Sequence, residues 1–331
     1  MEPSVPLVSV VIPTRERPRV VADAVRSALG QSLEALEVVV VIDGPDECTA
    51  TVLREIGDSR VRVATLPRHS GASAARNAGV AAARGRWIAF LDDDDEWLPG
   101  KLALQLQTAR QSRFRHPIIA CRVIARTAAT EFIWPRRLPD RGEPISEYLF
   151  CRRTPFFGEG LVPTNTVFTT RELLTSMPFE TDLRDHEDLD WLLRVCGLEG
   201  VGVEFVPTPE PLTIWRLDRE LSRMSTSSDW RYSLAWMRSR RDLVTRRAYA
   251  AFLMTWLGAV AARARDWRAC PTLGWEAFRH GKPAAMDVLS YTGYWLIPET
   301  LQRRVAAAFA RRNPTAEQAA GARTAAREAE P

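Results

Sequence analysis

Four consecutive aspartates, Asp92-Asp93-Asp94-Asp95, follow directly on the apolar run Trp87–Leu91, and Glu96-Trp97-Leu98-Pro99 come next. Such a run reads as a strand buried on both faces. The acids then sit at the carboxyl end of a central strand, where open α/β sheets hold their ligands. Carboxylates this close repel one another unless a cation or an arginine offsets them, and they suit a hard divalent ion with oxygen ligands. A solvated acidic turn that caps the next helix is the plainer alternative. A second acidic motif, Asp185-His186-Glu187-Asp188-Leu189-Asp190-Trp191, opens a stretch with Leu189, Leu192 and Leu193 at helical spacing. A carboxylate at a helix start, among other acids and an aromatic, can hold a pKa suited to general-base work. Complementing the helix N-terminus is its bland role.

The elements that must position these groups alternate strictly over the first 115 or so residues. Strands are expected at Val8–Ile12, Val38–Ile42, Val61–Leu66 and Trp87–Leu91, the first stopped by Pro13. Helices are expected over Val20–Leu29, ended by Gly30, and over Thr49–Ile56, Ala72–Ala83 and Leu98–Arg113. Alternating β and α elements with short links imply a right-handed, doubly wound parallel α/β sheet. From Ile118 to Trp215 the texture is irregular and Pro-rich, with one clear helix at His186–Val195. That texture suits a mixed half that completes the sheet and builds an acceptor cleft. Helical, Arg- and Trp-rich sequence begins near Asp229. The expected organisation is a catalytic domain over 1–228 (alternating half 1–115, acceptor half 116–228), a helical region over 229–312, and a disordered tail over 313–331 without large apolar residues.

Other strand ends carry Pro13-Thr14-Arg15-Glu16-Arg17 and Asp43-Gly44-Pro45-Asp46, and the helix after Arg68-His69-Ser70-Gly71 carries Arg76 and Asn77. A carboxylate such as Asp43 can accept from a nucleobase N–H, while a helix N-terminus at Gly71 and the Arg76 guanidinium suit phosphate. Two carboxylates at the fourth strand can share a ribose and a metal that bridges a diphosphate. In order, Val8–Thr14, Val40–Gly44, Gly71–Gly79 and Phe90–Trp97 resemble the successive signatures of family 2 glycosyltransferases of the GT-A fold, over roughly residues 5–225.

This resemblance implies a Rossmann-like, mostly parallel sheet followed by a helical C-terminal region. It implies inverting transfer from a nucleotide-diphospho-sugar to a hydroxyl acceptor, a polysaccharide, lipid-linked or glycoconjugate precursor, assisted by Mn²⁺ or Mg²⁺. On the same footing Asp43 pairs with the base, Pro13, Thr14, Arg17, Arg76, Asp92 and Asp93 serve the donor, Asp94 ligates the metal and Asp188 is the base. Ile42 stands where the family often has a second Asp, and Arg15-Glu16 where Tyr-Asn is common, so the departures fall at the nucleotide pocket. Asp218 falls where related enzymes often carry a histidine near the metal or diphosphate.

Composition narrows the partners. The net charge is +4, yet Arg231 to Arg312 holds 15 Lys and Arg against five acids. That excess suggests an anionic partner, and without a finger, helix-turn-helix or RRM signature a membrane surface is expected rather than nucleic acid. Five scattered cysteines without a CxxC pair argue for a reducing compartment. The longest apolar stretch, Ala248–Ala262, falls short of the ~20 residues that span a bilayer. A cytoplasmic protein peripheral to the inner face of the plasma membrane is therefore expected, with Trp256 and Trp267 at the headgroups. Two other readings compete. A sugar nucleotidyltransferase would carry a Gly-rich loop after the first strand, where Pro13-Thr14-Arg15-Glu16 has no glycine. A silent scaffold domain would have lost its acids, and both clusters are intact.

Overall fold

The computed structural model describes residues 5–128, 130–154, 158–217, 229–297 and 301. The chain divides into two compact units, 1–124 with 162–220, and 125–161 with 221–331. The segment 125–161, part of the acceptor half in the sequence reading, thus groups with the C-terminal helices. Asp218 and the tail 313–331 lie outside the described residues.

The first unit is built on β1 (Val8–Thr14), β2 (Leu36–Ile42), β3 (Val61–Thr65), β4 (Trp87–Phe90), β6 (His116–Ala120), β9 (Phe168–Thr170) and β10 (Val201–Phe205). β5 (Glu96–Trp97) and β11 (Thr213–Arg216) pair antiparallel outside this sheet. Between Arg122 and Leu161 run β7 (Val123–Arg126) and β8 (Glu131–Trp134). The large sheet has the order β10-β6-β9-β4-β1-β2-β3. β1 and β2 are Val- and Ile-rich and wholly buried, as central strands covered on both faces must be. β3, the edge, is only half-buried. All pairings are parallel except those of β9, which runs antiparallel to both β4 and β6. The doubly wound expectation is therefore right for the mostly parallel sheet and misses one inserted antiparallel strand.

Pro13 does not stop β1. The amide of Leu91 donates to the Val11 carbonyl on the β4 side, and that of Asp43 to the Thr14 carbonyl on the β2 side. Alternation turns Pro13 toward β4, beyond the last β4 rung, so its missing N–H costs no ladder bond.

Helices α1 (Pro18–Leu29), α2 (Glu47–Glu55), α3 (Ala72–Ala82), α4 (Lys101–Gln111), α6 (Arg171–Ser176) and α7 (Glu187–Val195) belong to this unit, and α5 (Ile145–Phe150) to the other. α3 lies close on β1: a Cβ at Gly79 would come within 2.3 Å of the Val11 side chain. The second unit continues with α8 (Trp230–Ser239), α9 (Arg246–Ala251), a π-helical segment Phe252–Leu257, α10 (Gly258–Arg263), α11 (Ala269–His280) and α12 (Ala285–Leu296).

Residues Ala248–Met254 are almost wholly buried, and Phe252 packs on Phe150, Trp236 and Trp256. The longest apolar run of the chain is thus the core of its second unit. This corrects the expectation that Trp256 faces headgroups, although Trp267 is 60% exposed. Among the described residues no helix is long and apolar enough to cross a membrane. Replacing Gly79 with Ala should overpack α3 against β1 and cost about 1–3 kcal/mol, read as a lower urea midpoint with unchanged slope.

Candidate active site

The four aspartates leave β4 in a tight turn, with the Asp95 amide donating to the Asp92 carbonyl, and each side chain meets its own partner. Asp92 takes a charged hydrogen bond from Arg76 Nη2 at 2.9 Å. Asp93 accepts from Thr14 Oγ1 at 2.8 Å and from Arg17 Nη1 at 3.2 Å. The same Arg17 nitrogen reaches Asp94 at 3.1 Å. Asp95 accepts from the side chain of Asn165 and the backbone N–H of Arg216, whose guanidinium grips Glu96 at 2.6 Å. Burial and the neighbouring Asp92 and Asp94 charges push the Asp95 carboxyl well up, with these two donors opposing. Asp95 therefore ties the acidic turn to the 162–217 segment.

Trp97 extends that tie, because its indole N–H donates to the Asn165 carbonyl at 3.0 Å. The buried Lys101 ammonium lies 3.8 Å from the Trp97 ring centre and bonds Gln105, and burial pushes its pKa down to about 8.

Asp43 is also fully engaged. It accepts from the backbone N–H of Ser70 at 2.7 Å and of Gly71 at 2.9 Å, and its Oδ2 lies 2.6 Å from His69 Nδ1. The positive φ of Gly71 (89°) opens α3. The amides directed at the Asp43 carboxylate are thus those of the two residues just before α3.

Arg76 connects the two acidic motifs. Its guanidinium is 6% exposed and bonds Asp92 with one nitrogen while approaching Glu187 at 3.5 Å with another. The adjacent Asn77 exchanges two hydrogen bonds with the backbone of Phe179, at 2.8 and 3.0 Å. Phe179 in turn stacks on Trp191 of α7. An Arg-Asn pair on one helix thus fixes both the charge and the position of the Asp185–Trp191 motif.

Within that motif the acids diverge. Asp190 is buried and paired with Arg194 at 2.7 Å, a structural role. Asp188 accepts from the Leu189 N–H at 2.7 Å and lies 3.5 Å from Thr164 Oγ1. Burial, then repulsion from Glu187, lifts the Asp188 pKa to about 6, against the pull of Arg76. Two non-glycine residues of this unit have positive φ, Glu16 (53°) and His186 (68°), each one residue before a charged group of the site. Strain of this kind is kept where the surroundings enforce it.

The carboxylates offer hard, acceptor-only oxygens, yet among the described residues no group of three or more His, Cys, Asp or Glu could hold a metal alone. Such a donor set fits an ion of the Mg²⁺ or Mn²⁺ kind, which takes one or two carboxylates and fills its shell with phosphate and water. Of the residues expected at the site, Thr14, Arg17, Arg76, Asp92, Asp93 and Asp94 are joined by hydrogen bonds, Asp188 feels the Arg76 charge, and Asp43 bonds the 69–71 segment. Contacts from distant sequence, namely His69, Thr164, Asn165, Glu187 and Arg216, carry no local signal beyond the acidity of Glu187.

The fold is shared by the mannosyltransferase PcManGT of Pyrobaculum calidifontis, solved with GDP-Man and Mn²⁺, at TM-score 0.55 and 18% identity over 92% of this chain and 84% of that one. That likeness, with the mostly parallel sheet, shows the GT-A fold. Residues 9–171, just under half of the chain, match the profile of Glycosyl transferase family 2. It is 27% identical over 258 residues to the amylovoran biosynthesis glycosyltransferase AmsB of Erwinia amylovora, covering 73% of this chain and 82% of AmsB. It is 35% identical over 100 residues to WfgD of Escherichia coli, a UDP-Glc:alpha-D-GlcNAc-diphosphoundecaprenol beta-1,3-glucosyltransferase. That match covers 30% of this chain and 40% of WfgD, so the chain spans less than half of some of the curated relatives it matches.

Because Arg76 favours the ionised form of Asp188, Arg76→Gln should move the Asp188 titration above its present value of about 6, followed by carboxyl ¹³C NMR. Arg76→Lys, which keeps the charge, should leave it nearer its present place.

Proposed function

We propose that the chain catalyses inverting transfer of a sugar from a nucleotide-diphospho-sugar to a hydroxyl acceptor, with Asp188 as general base. The observation that carries this reading is Arg76, which reaches both Asp92 of the strand-end cluster and Glu187 beside Asp188. The link sets a donor-side acid cluster and an acceptor-side base around a single guanidinium. Asp43 reads the nucleobase, while Pro13, Thr14, Arg17, Arg76, Asp92 and Asp93 position the ribose and diphosphate. Asp94 would hold Mn²⁺ or Mg²⁺, with Asp92 and Asp93 in its outer shell, and the ion would offset the diphosphate charge.

The chemistry balances with the chain's own groups. The Asp188 carboxylate takes the acceptor O–H proton as that oxygen attacks C1 from the face opposite the diphosphate. The C1–O bond breaks and its electron pair leaves with the nucleotide diphosphate, inverting C1. A pKa near the working pH suits a base that must be ionised before the step and protonated after it. The acceptor is a lipid-linked or polysaccharide precursor, a reading supported by AmsB and WfgD. The chain would then work in the cytoplasm, peripheral to the inner face of the plasma membrane.

Incubation with Mn²⁺ and a panel of UDP-, GDP- and dTDP-sugars tests the reading through donor hydrolysis or protection from melting. Asp188 serves as base only when ionised, so turnover should fall as pH drops through about 6. Asp188→Asn should lose about 10²–10⁴-fold in kcat and the acid limb with it, with donor affinity nearly kept. If affinity collapses and turnover of the bound complex does not, the residue is structural. Asp94→Asn should abolish the metal dependence of donor binding by calorimetry, and ordinary binding at ordinary Mn²⁺ would overturn that assignment.

A further inference from the structure

The second unit presents an unusual outer face. Along α12, Ala285, Leu289, Thr292 and Leu296 are all exposed, at the spacing of one helical stripe, with Leu289 at 64% and Leu296 at 73%. On α11, Trp275 and Phe278 are also exposed, one turn apart. Just before α11, the exposed ring of Trp267 packs on Trp295 of α12, 5.1 Å between centres. The Tyr291 hydroxyl of α12 donates to the Cys270 carbonyl of α11, so the two helices present these residues side by side.

The free charges of the stretch that carries this face are of one sign. Between Gly258 and Ile297 the acids are Asp266, Glu276 and Asp287, and each is occupied internally. Asp266 accepts from Trp230 and pairs with Arg231, Glu276 holds Arg238 and Tyr249, and Asp287 caps α12 at the Ala284 N–H. The cations of the same stretch, Arg263, Arg265, Arg268, Arg279 and Lys282, are all exposed, and no ion pair engages them among the described residues. Large exposed apolar side chains with tryptophan, on a stretch whose exposed cations have no ion-pair partner and whose acids are all engaged, match the boundary of a bilayer bearing anionic headgroups.

We propose that the α11–α12 face docks on an anionic lipid surface, with Trp267, Trp275, Phe278, Leu289 and Leu296 entering the headgroup boundary and the arginines meeting phosphate. The contact lies on residues other than the apolar run Ala248–Ala262, which is spent on the core. It rests on the membrane placement proposed above and names the surface responsible.

Flotation of the full chain with phosphatidylcholine vesicles, with and without phosphatidylglycerol, tests it. Binding is expected with phosphatidylglycerol only, and it should weaken in high salt as exposed charges are screened. Trp275→Ser with Phe278→Ser, and separately Arg268→Glu with Arg279→Glu, should each reduce vesicle partitioning about tenfold or more. Circular dichroism confirms that the variants remain folded. A wild-type chain that stays unbound in both compositions overturns the proposal, as do variants that float equally well. A wild-type dimer in solution that the Trp275 and Phe278 substitutions dissolve also overturns it, by giving the face to a second copy. Donor hydrolysis in vesicle-free solution reports on the sugar-transfer reading alone, so either conclusion can fail without the other.

Discussion

Four adjacent carboxylates at the end of a buried strand cannot coexist without opposing charge, and the arrangement of the first unit follows from how that charge is supplied. Arg17 arrives from the loop after β1 and Arg76 from α3, while Asn165 and the Arg216 backbone, from the later 162–217 segment, give Asp95 neutral N–H donors. At low effective dielectric an unpaired carboxylate would be expelled or protonated. The partners therefore hold the elements in register as much as they hold the acids. The cluster works as a junction where β1, α3, β4 and the 162–217 segment meet.

That junction also sets the second acidic motif. Arg76 shares its charge among Asp92, Glu187 and Asp188, so the two motifs are electrostatically one system although about 90 residues separate them. The close seat of α3, made possible by Gly79, brings Arg76 to the strand ends, and Asn77 then clamps the chain that leads into α7. Preorganisation of this kind lets a reacting centre find its charges already in place.

Much of this was legible in the sequence. The continuous apolar runs and period-3.6 patterns of residues 8–111 mark strands and helices within a few residues, because buried parallel strands and amphipathic helices write their environment directly into residue type. β9 was not legible: three residues, Phe168–Thr170, carry no periodicity, and their pairing with β4 depends on chain far away. Pro13 misled because proline stops a strand only where its N–H is needed. The apolar content of the Ala248–Ala262 run marks a buried helix without saying what buries it. The Arg76–Glu187 and Asp95–Asn165 links lie between motifs, where local spacing carries no information.

The inserted β9 has a bearing on assembly. The outer side of β4 is closed only by a strand that the ribosome delivers after residues 125–161, which belong to the other unit. β6 emerges before that excursion and β9 after it, yet β9 lies between β6 and β4 in the sheet. The emerging first half therefore carries an open sheet edge beside its most acidic turn, a place where a nascent chain is prone to mispair. The charge of Asp92 to Asp95 at that edge repels a second copy of itself, so a turn proposed to hold donor and metal would also shield the unfinished sheet during synthesis.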